Sequence, residues 1–311
     1  MSRKHPIISI TGSSGAGTTS VKKTFEQIFF RERVNAVYIE GDAFHRYDRA
    51  EMRVQMAKEA ERGNKHFSHF SPETNLFEEL ERAFRDYGET GTAVTRHYVH
   101  DAEESALHAA AAGTFTEWKQ LPENSDLLFY EGLHGAVVTD RVNVARYADL
   151  KIGVVPVINL EWIQKLHRDR SARGYSTEAV TDTILRRMPD YIHYICPQFT
   201  ETDINFQRVP TVDTSNPFIA RWIPTPDESM VVIRFKNPRH RLSLPALDAA
   251  AQLHVARELD RLSRRKARSR DAADPDAADH AADRTQAKPQ MMPNAIRTVG
   301  GSDEHLGSCR G

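Results

Sequence analysis

The chain has 311 residues, 40% of them hydrophobic, and a formal net charge of −1. It is long enough to bury the core of one large domain or of two small ones. Its near-neutral charge gives no argument for a nucleic-acid partner or an anionic membrane surface. Cys196 and Cys309 are far apart and form no CxxC pair, so we expect a reducing, cytoplasmic setting without disulfides or a zinc site. The N-terminal MSRKHPIISITG passes from a short basic stretch into a strand-like run, so we expect no secretory signal there. No apolar run approaches the length of a bilayer span.

Short β-branched or aromatic runs alternate with longer helical patterns. The predicted strands are PIISI at 6–10, NAVYI at 35–39, DLLFYE at 126–131, LKIGVVPV at 150–157 and MVVIRF at 230–235. Runs that are apolar on both faces are typical of buried parallel strands covered by helices. The alternation therefore predicts an α/β fold, with a mostly parallel β-sheet flanked by helices and joined by right-handed crossovers.

Two intervening segments carry apolar stripes at helical spacing. The stripes comprise Val21, Phe25, Ile28 and Phe29 in the first segment and Leu76, Leu80, Phe84 and Tyr87 in the second. The second helix is predicted to begin at Ser71-Pro72-Glu73, because a capping residue there precedes a proline that a first turn tolerates. It is predicted to end at Gly88.

The composition changes near residue 239. Residues 240–311 are rich in Arg, Ala, Asp and His, and large apolar residues become rare. We therefore expect one folded domain over 1–239 and a poorly packed or disordered tail over 240–311.

Residues 12–20, GSSGAGTTS, match the phosphate-loop pattern GxxxxGK[ST] except at Thr18, where the pattern has lysine. Small residues let such a loop wrap closely, so that backbone N–H groups and the next helix N-terminus face phosphate oxygens. The Thr19 hydroxyl is predicted to reach Mg²⁺. The nucleotide-binding candidates are Gly12, Ser13, Ser14, Gly15, Ala16, Gly17, Thr18, Thr19 and Ser20. The alternative is a Gly/Ser-rich turn that only joins a strand to a helix.

Two acidic residues follow predicted strands. Glu131 ends DLLFYE and resembles the Walker B acid that holds Mg²⁺ or its water shell. Asp42 follows NAVYI, at the sheet edge where ligands bind in open α/β folds, and is predicted to accept a proton from a substrate hydroxyl. The alternative for Asp42 is an N-cap of a helix that begins near Tyr47. The residues predicted to bind an anionic group of the substrate are His45, Arg46 and Arg49.

The segment EWIQKLHRDRSARGYS is the predicted source of the positive charge that the loop lacks. A helix over it places Lys165, Arg168 and Asp169 on one face, with Arg173 at its end. Cations beside a glycine junction suit a lid that closes over phosphates and expels water. The alternative is a solvated amphipathic helix with internal Arg–Asp pairs. Further candidates for sugar contacts, which strand alternation explains equally well, are Tyr98 and His100.

Taken together, these segments resemble phosphoribulokinases of the proteobacterial type. The resemblance covers residues 5 to about 239 and rests on GSSGAGTTS, EGDAFHRYDRAEM, HFSHFSPETN, YVHD, LFYEGLHGAV, VPVINLEWIQKLHRDRSARGYSTEAV, ILRRMPDY and DINFQRVPTVDTSNPFIARWIP. It implies a P-loop kinase-like fold and ATP-dependent phosphorylation of the C1 hydroxyl of D-ribulose 5-phosphate. The product would be ribulose 1,5-bisphosphate, for the Calvin cycle. Threonine at the lysine position of the loop is usual in bacterial members of this family.

The resemblance also implies roles for individual residues. Asp42 would take the hydroxyl proton, and Asp169 would be a second essential carboxylate. The phosphoryl group in transfer would be stabilised by Lys165, Arg168 and Arg173. Mg²⁺ would be held by Thr19, Glu131 and Asp169. The sugar phosphate would be bound by His45, Arg49, Tyr98, His100 and Arg173.

Regulation and assembly are implied in the same way. Family members of this type are activated by NADH, inhibited by AMP and assembled into homo-oligomers. Arg31 and Arg234 match positions that the family links to effectors.

The resemblance stops near Arg239, where the family continues with apolar segments that form a further strand and helix. This chain reads HRLSLPALDAAAQLHVARELDRLSRRKARSR instead. A GC-rich gene read out of frame gives Arg/Ala/Asp-rich sequence, so we hypothesise a frameshift near this residue. Two functional alternatives stay open: another P-loop small-molecule kinase, such as a uridine or pantothenate kinase, and a nucleotide-binding regulator without turnover.

Overall fold

The structure is a computed structural model that describes residues 4–237, apart from the side chains of Ala172 and Arg173. The predicted tail at 240–311 lies outside the described residues. No helix within residues 4–237 combines the length and apolar character needed to cross a bilayer.

Strands and helices alternate along the described chain. The strands are β1 (Ile7–Thr11), β2 (Ala36–Glu40), β3 (Val94–Thr95), β4 (Lys119–Gln120), β5 (Leu127–Gly132), β6 (Leu150–Val154), β7 (Ile204–Pro210) and β8 (Ser229–Phe235). The helices are α1 (Thr18–Glu32), α2 (Arg49–Glu61), α3 (Phe77–Thr90), α4 (Ala102–His108), α5 (Ile158–Arg173), α6 (Thr177–Asp190) and α7 (Gln198–Glu201). A π-helical turn over Tyr191–Ile195 joins α6 to α7.

One six-stranded sheet organises these elements in the order β2-β5-β1-β6-β7-β8. The first five strands are parallel and β8 pairs antiparallel with β7. The small strands β3 and β4 form a separate antiparallel pair. The prediction of a mostly parallel sheet flanked by helices is therefore confirmed.

Helices cover the sheet on both faces because the central strands alternate between two apolar cores. Leu128 and Tyr130 of β5 face a core that contains Phe84 of α3. Phe129 points the other way and packs on Phe25 and Phe29 of α1, with ring centroids 5.3 and 5.5 Å away. Burial of such aromatic side chains contributes about 2 kcal/mol each, so β5 is held firmly between two layers.

Three predictions about elements were wrong. Pro72 lies in a separate 3-10 turn, and extended Asn75 separates that turn from α3, which therefore begins later than Ser71. Gly88 lies inside α3, and the left-handed residue that ends the helix is Gly91, with φ of 82°. MVVIRF is a strand, but it is antiparallel and at the sheet edge, with Met230–Ile233 exposed. Strand β7 was not predicted, because INFQRVP mixes polar and apolar residues.

Candidate active site

The carboxyl ends of β1, β2 and β5 meet at one edge of the sheet. In the register of the sheet, Glu131 of β5 lies opposite both Ile10 of β1 and Glu40 of β2. The chain leaves β1 into the loop at 12–17 and leaves β2 into the turn that carries Asp42. Three segments that are distant in sequence are thus brought together where open α/β sheets bind ligands.

The loop at 12–17 has the conformation expected of a phosphate cradle. Gly15 and Gly17 have φ of 106° and 103°, which side chains rarely adopt. Gly17 is the N-cap of α1, so the helix N-terminus opens directly onto the loop. A Cβ atom at Gly12 would lie 2.9 Å from the Val154 carbonyl, which explains why this position has no side chain. This conformation favours a phosphate-binding loop over a simple connection between strand and helix, and nucleotide binding by residues 12–20 stays a prediction.

The structure places Thr18, and not Thr19, against the strand-end acid. Thr18 is buried in the first turn of α1 and its hydroxyl donates to the Glu131 carboxylate. Burial raises the pKa of Glu131, although this hydrogen bond and the nearby charge of Lys22 act in the opposite direction. Thr19 is exposed one residue later. The role of Thr19 as a metal ligand stays a prediction.

Helix α5 lies directly on the phosphate loop and brings the buried Lys165 and the half-buried Arg168 to it. A Cβ at Gly15 would lie 3.2 Å from Cβ of Lys165, and Arg168 Nη2 donates to Ser14 Oγ at 2.8 Å. Lys165 Nζ is 2.6 Å from Asp169 Oδ2, and Arg168 Nη2 is 3.0 Å from Asp169 Oδ1. Lys165 and Asp169 are buried. The alternative of a solvated helix is wrong, although the internal Arg–Asp pair that it predicted exists.

The pKa values of Lys165 and Asp169 make the charge of this helix face sensitive to a nearby anion. Burial lowers the pKa of Lys165 to about 8, even though Asp169 holds its ammonium group. Burial alone would raise the pKa of Asp169, but Lys165 and Arg168 lower it. A phosphate oxygen beside Lys165 would favour its charged form further.

A buried acid, Glu161, joins the loop to two helical elements. Its Oε1 accepts a hydrogen bond from Ser13 Oγ, and its Oε2 accepts one from the Tyr191 hydroxyl at 3.3 Å. Lys165 lies one turn further along α5. Burial raises the pKa of Glu161 to about 7. Sequence reasoning missed this residue, because a lone acid in a charged helix gives no signal of its tertiary partners.

Asp42 lies in a 3-10 turn, Gly41–Phe44, immediately after β2. The alternative that it caps the next helix is wrong, because Asp48 is the N-cap of α2 and forms a capping box with Glu51. His45 Nε2 is 3.1 Å from Asp42 Oδ1, and His100 Nε2 is 3.7 Å from Asp42 Oδ2. Burial alone would raise the pKa of Asp42, but these imidazoles hold it well below its ordinary value. The carboxylate is therefore ionised at neutral pH.

A second layer of polar side chains supports His45. Its Nδ1 is 2.9 Å from Asn75 Oδ1, and its ring lies 4.2 Å from the ring of His69. His134 is also buried, and burial lowers its pKa to about 4, so it is neutral. The charge of Arg187 lowers the pKa of both His69 and Lys165. Arg187 therefore lies within electrostatic range of the histidines beside Asp42 and of the Lys165–Asp169 pair.

The remaining predicted substrate residues fall into two groups. Arg49 Nη2 donates to the His100 backbone carbonyl at 2.8 Å, and the Tyr98 ring lies 5.0 Å from that of His100, so these three residues meet beside Asp42. Arg46 instead donates to the carbonyls of Glu73 and Asn75, which positions the turn. The side chain of Arg173, at the end of α5, lies outside the described residues.

The donor set suits Mg²⁺ bound together with substrate phosphates. Within residues 4–237 no three His, Cys, Asp or Glu side chains converge into a closed metal site. Mg²⁺ in phosphoryl-transfer sites usually takes one or two carboxylates and completes its shell with water and phosphate oxygens. Glu131, hydrogen-bonded to Thr18 in the first turn of α1, fits that requirement.

A phosphate cradle whose cations come from a neighbouring helix, next to an ionised carboxylate, suits transfer of a phosphoryl group to a small molecule. The fold and the site thus define a P-loop phosphotransferase. The model of the Phosphoribulokinase / Uridine kinase family matches residues 7–215. The chain belongs to this family.

Individual relatives are close. A phosphoribulokinase of Nitrobacter vulgaris is 84% identical over 239 residues, which is 77% of this chain and 82% of that protein. The chromosomal phosphoribulokinase of Cupriavidus necator is 70% identical over the same shares of the two chains. The solved structure of phosphoribulokinase from Rhodobacter spheroides has a TM-score of 0.71 and 57% identity, covering 84% of this chain and 98% of that chain.

Replacing Glu161 with Gln should remove a pH-dependent loss of stability. The folded-state pKa of about 7 lies above the ordinary value of 4.5, so the stabilising protonated form is fully present below pH 4.5 and lost as pH rises through about 7. The free energy of unfolding of the wild type, relative to Glu161→Gln, should fall by up to about 1.4 kcal/mol per pH unit in this window.

Urea unfolding at several pH values across this window measures the effect. Glu89→Gln, at an exposed position of α3, is the control and should follow the wild type at every pH. A constant difference between Glu161→Gln and the wild type would contradict a buried, protonated Glu161.

Proposed function

We propose that the protein transfers the γ-phosphoryl group of ATP to the C1 hydroxyl of D-ribulose 5-phosphate, giving D-ribulose 1,5-bisphosphate and ADP in the Calvin cycle. The observation that carries this proposal is Asp42, an ionised carboxylate between two imidazoles at the sheet edge that also holds the phosphate loop. Identity of 84% to a phosphoribulokinase supports this acceptor over a nucleoside.

Asp42 accepts the proton of the attacking hydroxyl. Its lowered pKa keeps it ionised, so it accepts the proton late, once the new oxygen–phosphorus bond has made the hydroxyl more acidic. His45 Nε2 fixes one carboxylate oxygen at 3.1 Å, and His100 Nε2 lies 3.7 Å from the other. Asn75 fixes the ring of His45 in turn.

The transferring phosphoryl group carries charge on its equatorial oxygens, and the protein neutralises that charge. The loop amides hold the phosphates of ATP. Lys165 and Arg168 supply the cations that Thr18 does not, and Asp169 keeps both side chains at the loop. Thr19, Glu131 and Asp169 would hold Mg²⁺, which would supply further positive charge to the phosphates.

The 5-phosphate of the sugar requires a second cationic site. Arg49 lies beside His100 and Tyr98 and supplies such a charge. Arg173 at the end of α5 is proposed to join it when the substrate is bound, because the left-handed Gly174 ends the helix there.

Regulation, assembly and location are proposed from the same resemblance. NADH would activate the enzyme, and Arg31 and Arg234, exposed on α1 and β8, would take part. The enzyme would work as a homo-oligomer in the cytoplasm, without a nucleic-acid or membrane partner. Light scattering of the purified protein and assays with NADH test the first two of these proposals.

We also propose that residues after about Arg239 derive from a frameshift. The matched share of the Nitrobacter vulgaris relative stops short of both full lengths, at 77% of this chain and 82% of that protein. Translating the other two frames beyond this codon tests the idea. An apolar strand and helix in one frame would support it, and their absence from both frames would refute it.

Ribulose 5-phosphate should stimulate ADP release from MgATP, whereas uridine and pantothenate should not. The acceptor needs a phosphate for Arg49, and neither alternative carries one. Direct measurement of ADP, in reactions with and without NADH as the proposed activator, gives the rate for each acceptor. ADP release with uridine alone would refute the proposed substrate and favour the nucleoside kinase alternative.

Replacing Asp42 with Ala should lower kcat by about 10²–10⁴-fold while the affinity for ATP stays within about twofold, because a base acts only in the chemical step. Steady-state kinetics and direct ATP titration separate the two effects. The matched control is Asp140→Ala, at an exposed position of a surface bend, which should leave kcat unchanged. An unchanged rate in Asp42→Ala would instead favour a regulator that binds nucleotide without turnover.

Restoring lysine at position 18 should not rescue a damaged lid helix. Arg168→Ala should lose much of kcat, because Arg168 joins Ser14 of the loop to Asp169. A lysine at residue 18 would have to displace the Thr18–Glu131 hydrogen bond and would stay fixed to α1. The kcat of the Thr18→Lys/Arg168→Ala double variant decides the point, and recovery to the wild-type rate would refute this division of charge.

A further inference from the structure

Arg96 lies outside the predicted site, yet it contacts the turn that carries Asp42 and His45. It follows β3, in the small antiparallel pair of strands that is separate from the main sheet. Its Nε donates to the Ala43 carbonyl at 2.8 Å, and its Nη2 donates to the His45 carbonyl at 2.7 Å. One guanidinium thus binds two carbonyls of the turn, two residues apart.

The guanidinium is held in place by two aromatic rings. Its Cζ lies 3.6 Å from the ring centroid of Phe115 and 4.6 Å from that of Trp118. Trp118 also contacts Phe44 of the turn, with ring centroids 5.7 Å apart. Stacking and cation–π attraction of this kind favour arginine over lysine, whose ammonium has neither a planar face nor a fork.

The other side of the turn is fixed by a different segment. The Phe44 carbonyl accepts from Leu76 N, and Arg46 N donates to the Thr74 carbonyl. Three successive carbonyls, from Ala43 to His45, are therefore all bonded, and Arg96 provides the donors for two of them. Without Arg96, the Ala43 and His45 carbonyls would lose both of their hydrogen bonds to the guanidinium.

We propose that Arg96 is a positioning residue for phosphoryl transfer, which fixes the turn so that Asp42 and His45 face the acceptor hydroxyl. The expected effect of Arg96 on the rate rests on the proposed function, whereas its effect on the turn rests on the contacts of the guanidinium alone. A shift of about 1 Å in a reacting group costs on the order of 10²-fold in rate. Among the side chains that the structure describes, none of the hydrogen bonds or ring contacts of Arg96 reaches the phosphate loop or α5, so we expect ATP binding to be independent of it.

Arg96→Lys and Arg96→Ala test the proposal, with Arg82→Lys and Arg82→Ala as controls at an exposed position of α3. Both Arg96 variants should lose on the order of 10²-fold in kcat, with the KM for ATP unchanged within twofold. Guanidine added at low concentration should restore part of the activity of Arg96→Ala, compared with equal NaCl, and should not help Arg96→Lys. The Arg82 variants should behave like the wild type.

Hydrogen exchange gives a readout that needs no substrate. Amides of residues 41–46 should exchange faster in Arg96→Lys than in the wild type, while those of α1 and α5 keep their protection. If Arg96→Ala fails to fold, Arg96→Lys alone carries the test. Unchanged exchange and unchanged kcat in Arg96→Lys would overturn the inference, as would a loss of kcat that only follows a general loss of stability.

The two proposals fail in different ways. If the wild type does not phosphorylate ribulose 5-phosphate, the proposed function is wrong, and faster exchange of the turn in Arg96→Lys still supports Arg96 as its anchor. If the wild type is active and the turn of Arg96→Lys exchanges at the wild-type rate, the inference about Arg96 is wrong and the function stands.

Discussion

The in-register parallel pairing of β5 between β1 and β2 is the constraint on which the site depends. It aligns the ends of three strands, so the phosphate loop, the turn of Asp42 and the acid Glu131 leave the sheet at one edge. The strand ends also meet closely, because a Cβ at Gly132 would lie 2.6 Å from Gly41 Cα. Two glycines thus let the turn of Asp42 lie directly against the end of β5. A slip of one residue would reverse the faces of β5 and separate these groups.

A second consequence of the fold is that positive charge reaches the phosphate loop from α5 and not from the loop itself. Lys165 is buried next to Gly15, and burial weakens its hold on its proton. Asp169 compensates this cost with the ion pair that it forms with Lys165. Phosphate oxygens at the loop would lie beside the buried Lys165 and Asp169, where charge interactions are stronger than in bulk water.

Local patterns in the sequence predicted the parts of the site that are local. The small residues at 12–17 predicted a closely wrapped loop, in which Gly15 and Gly17 adopt positive φ angles. The spacing of Lys165 and Asp169 predicted that they lie one helical turn apart. Asp42 could be placed because it follows a strand. The alternative of a helix cap was excluded only by the structure, where Asp48 takes that role.

The supporting residues could not be predicted, because their contacts join distant parts of the chain. Arg96 is 53 residues from Ala43, and Glu161 is 148 residues from Ser13. Neither residue lies in a pattern that differs from an ordinary charged surface segment. The same reason explains the error at MVVIRF. Its apolar composition does not reveal that the strand lies at the sheet edge and pairs antiparallel with β7 alone. Likewise, the contact of Thr18 with Glu131 depends on how α1 meets β5.

The central claim is that Asp42 acts on the acceptor hydroxyl while Lys165 and Arg168 act on the phosphoryl group in transfer. A crystal structure with a non-hydrolysable ATP analogue, Mg²⁺ and ribulose 5-phosphate tests this claim most directly. The account predicts the Asp42 carboxylate within hydrogen-bond distance, about 3 Å, of the C1 hydroxyl, and Lys165 or Arg168 bonded to the terminal phosphate. A complex in which Asp42 stays paired with His45 and away from the sugar, or in which both cations remain turned from the nucleotide, would contradict it.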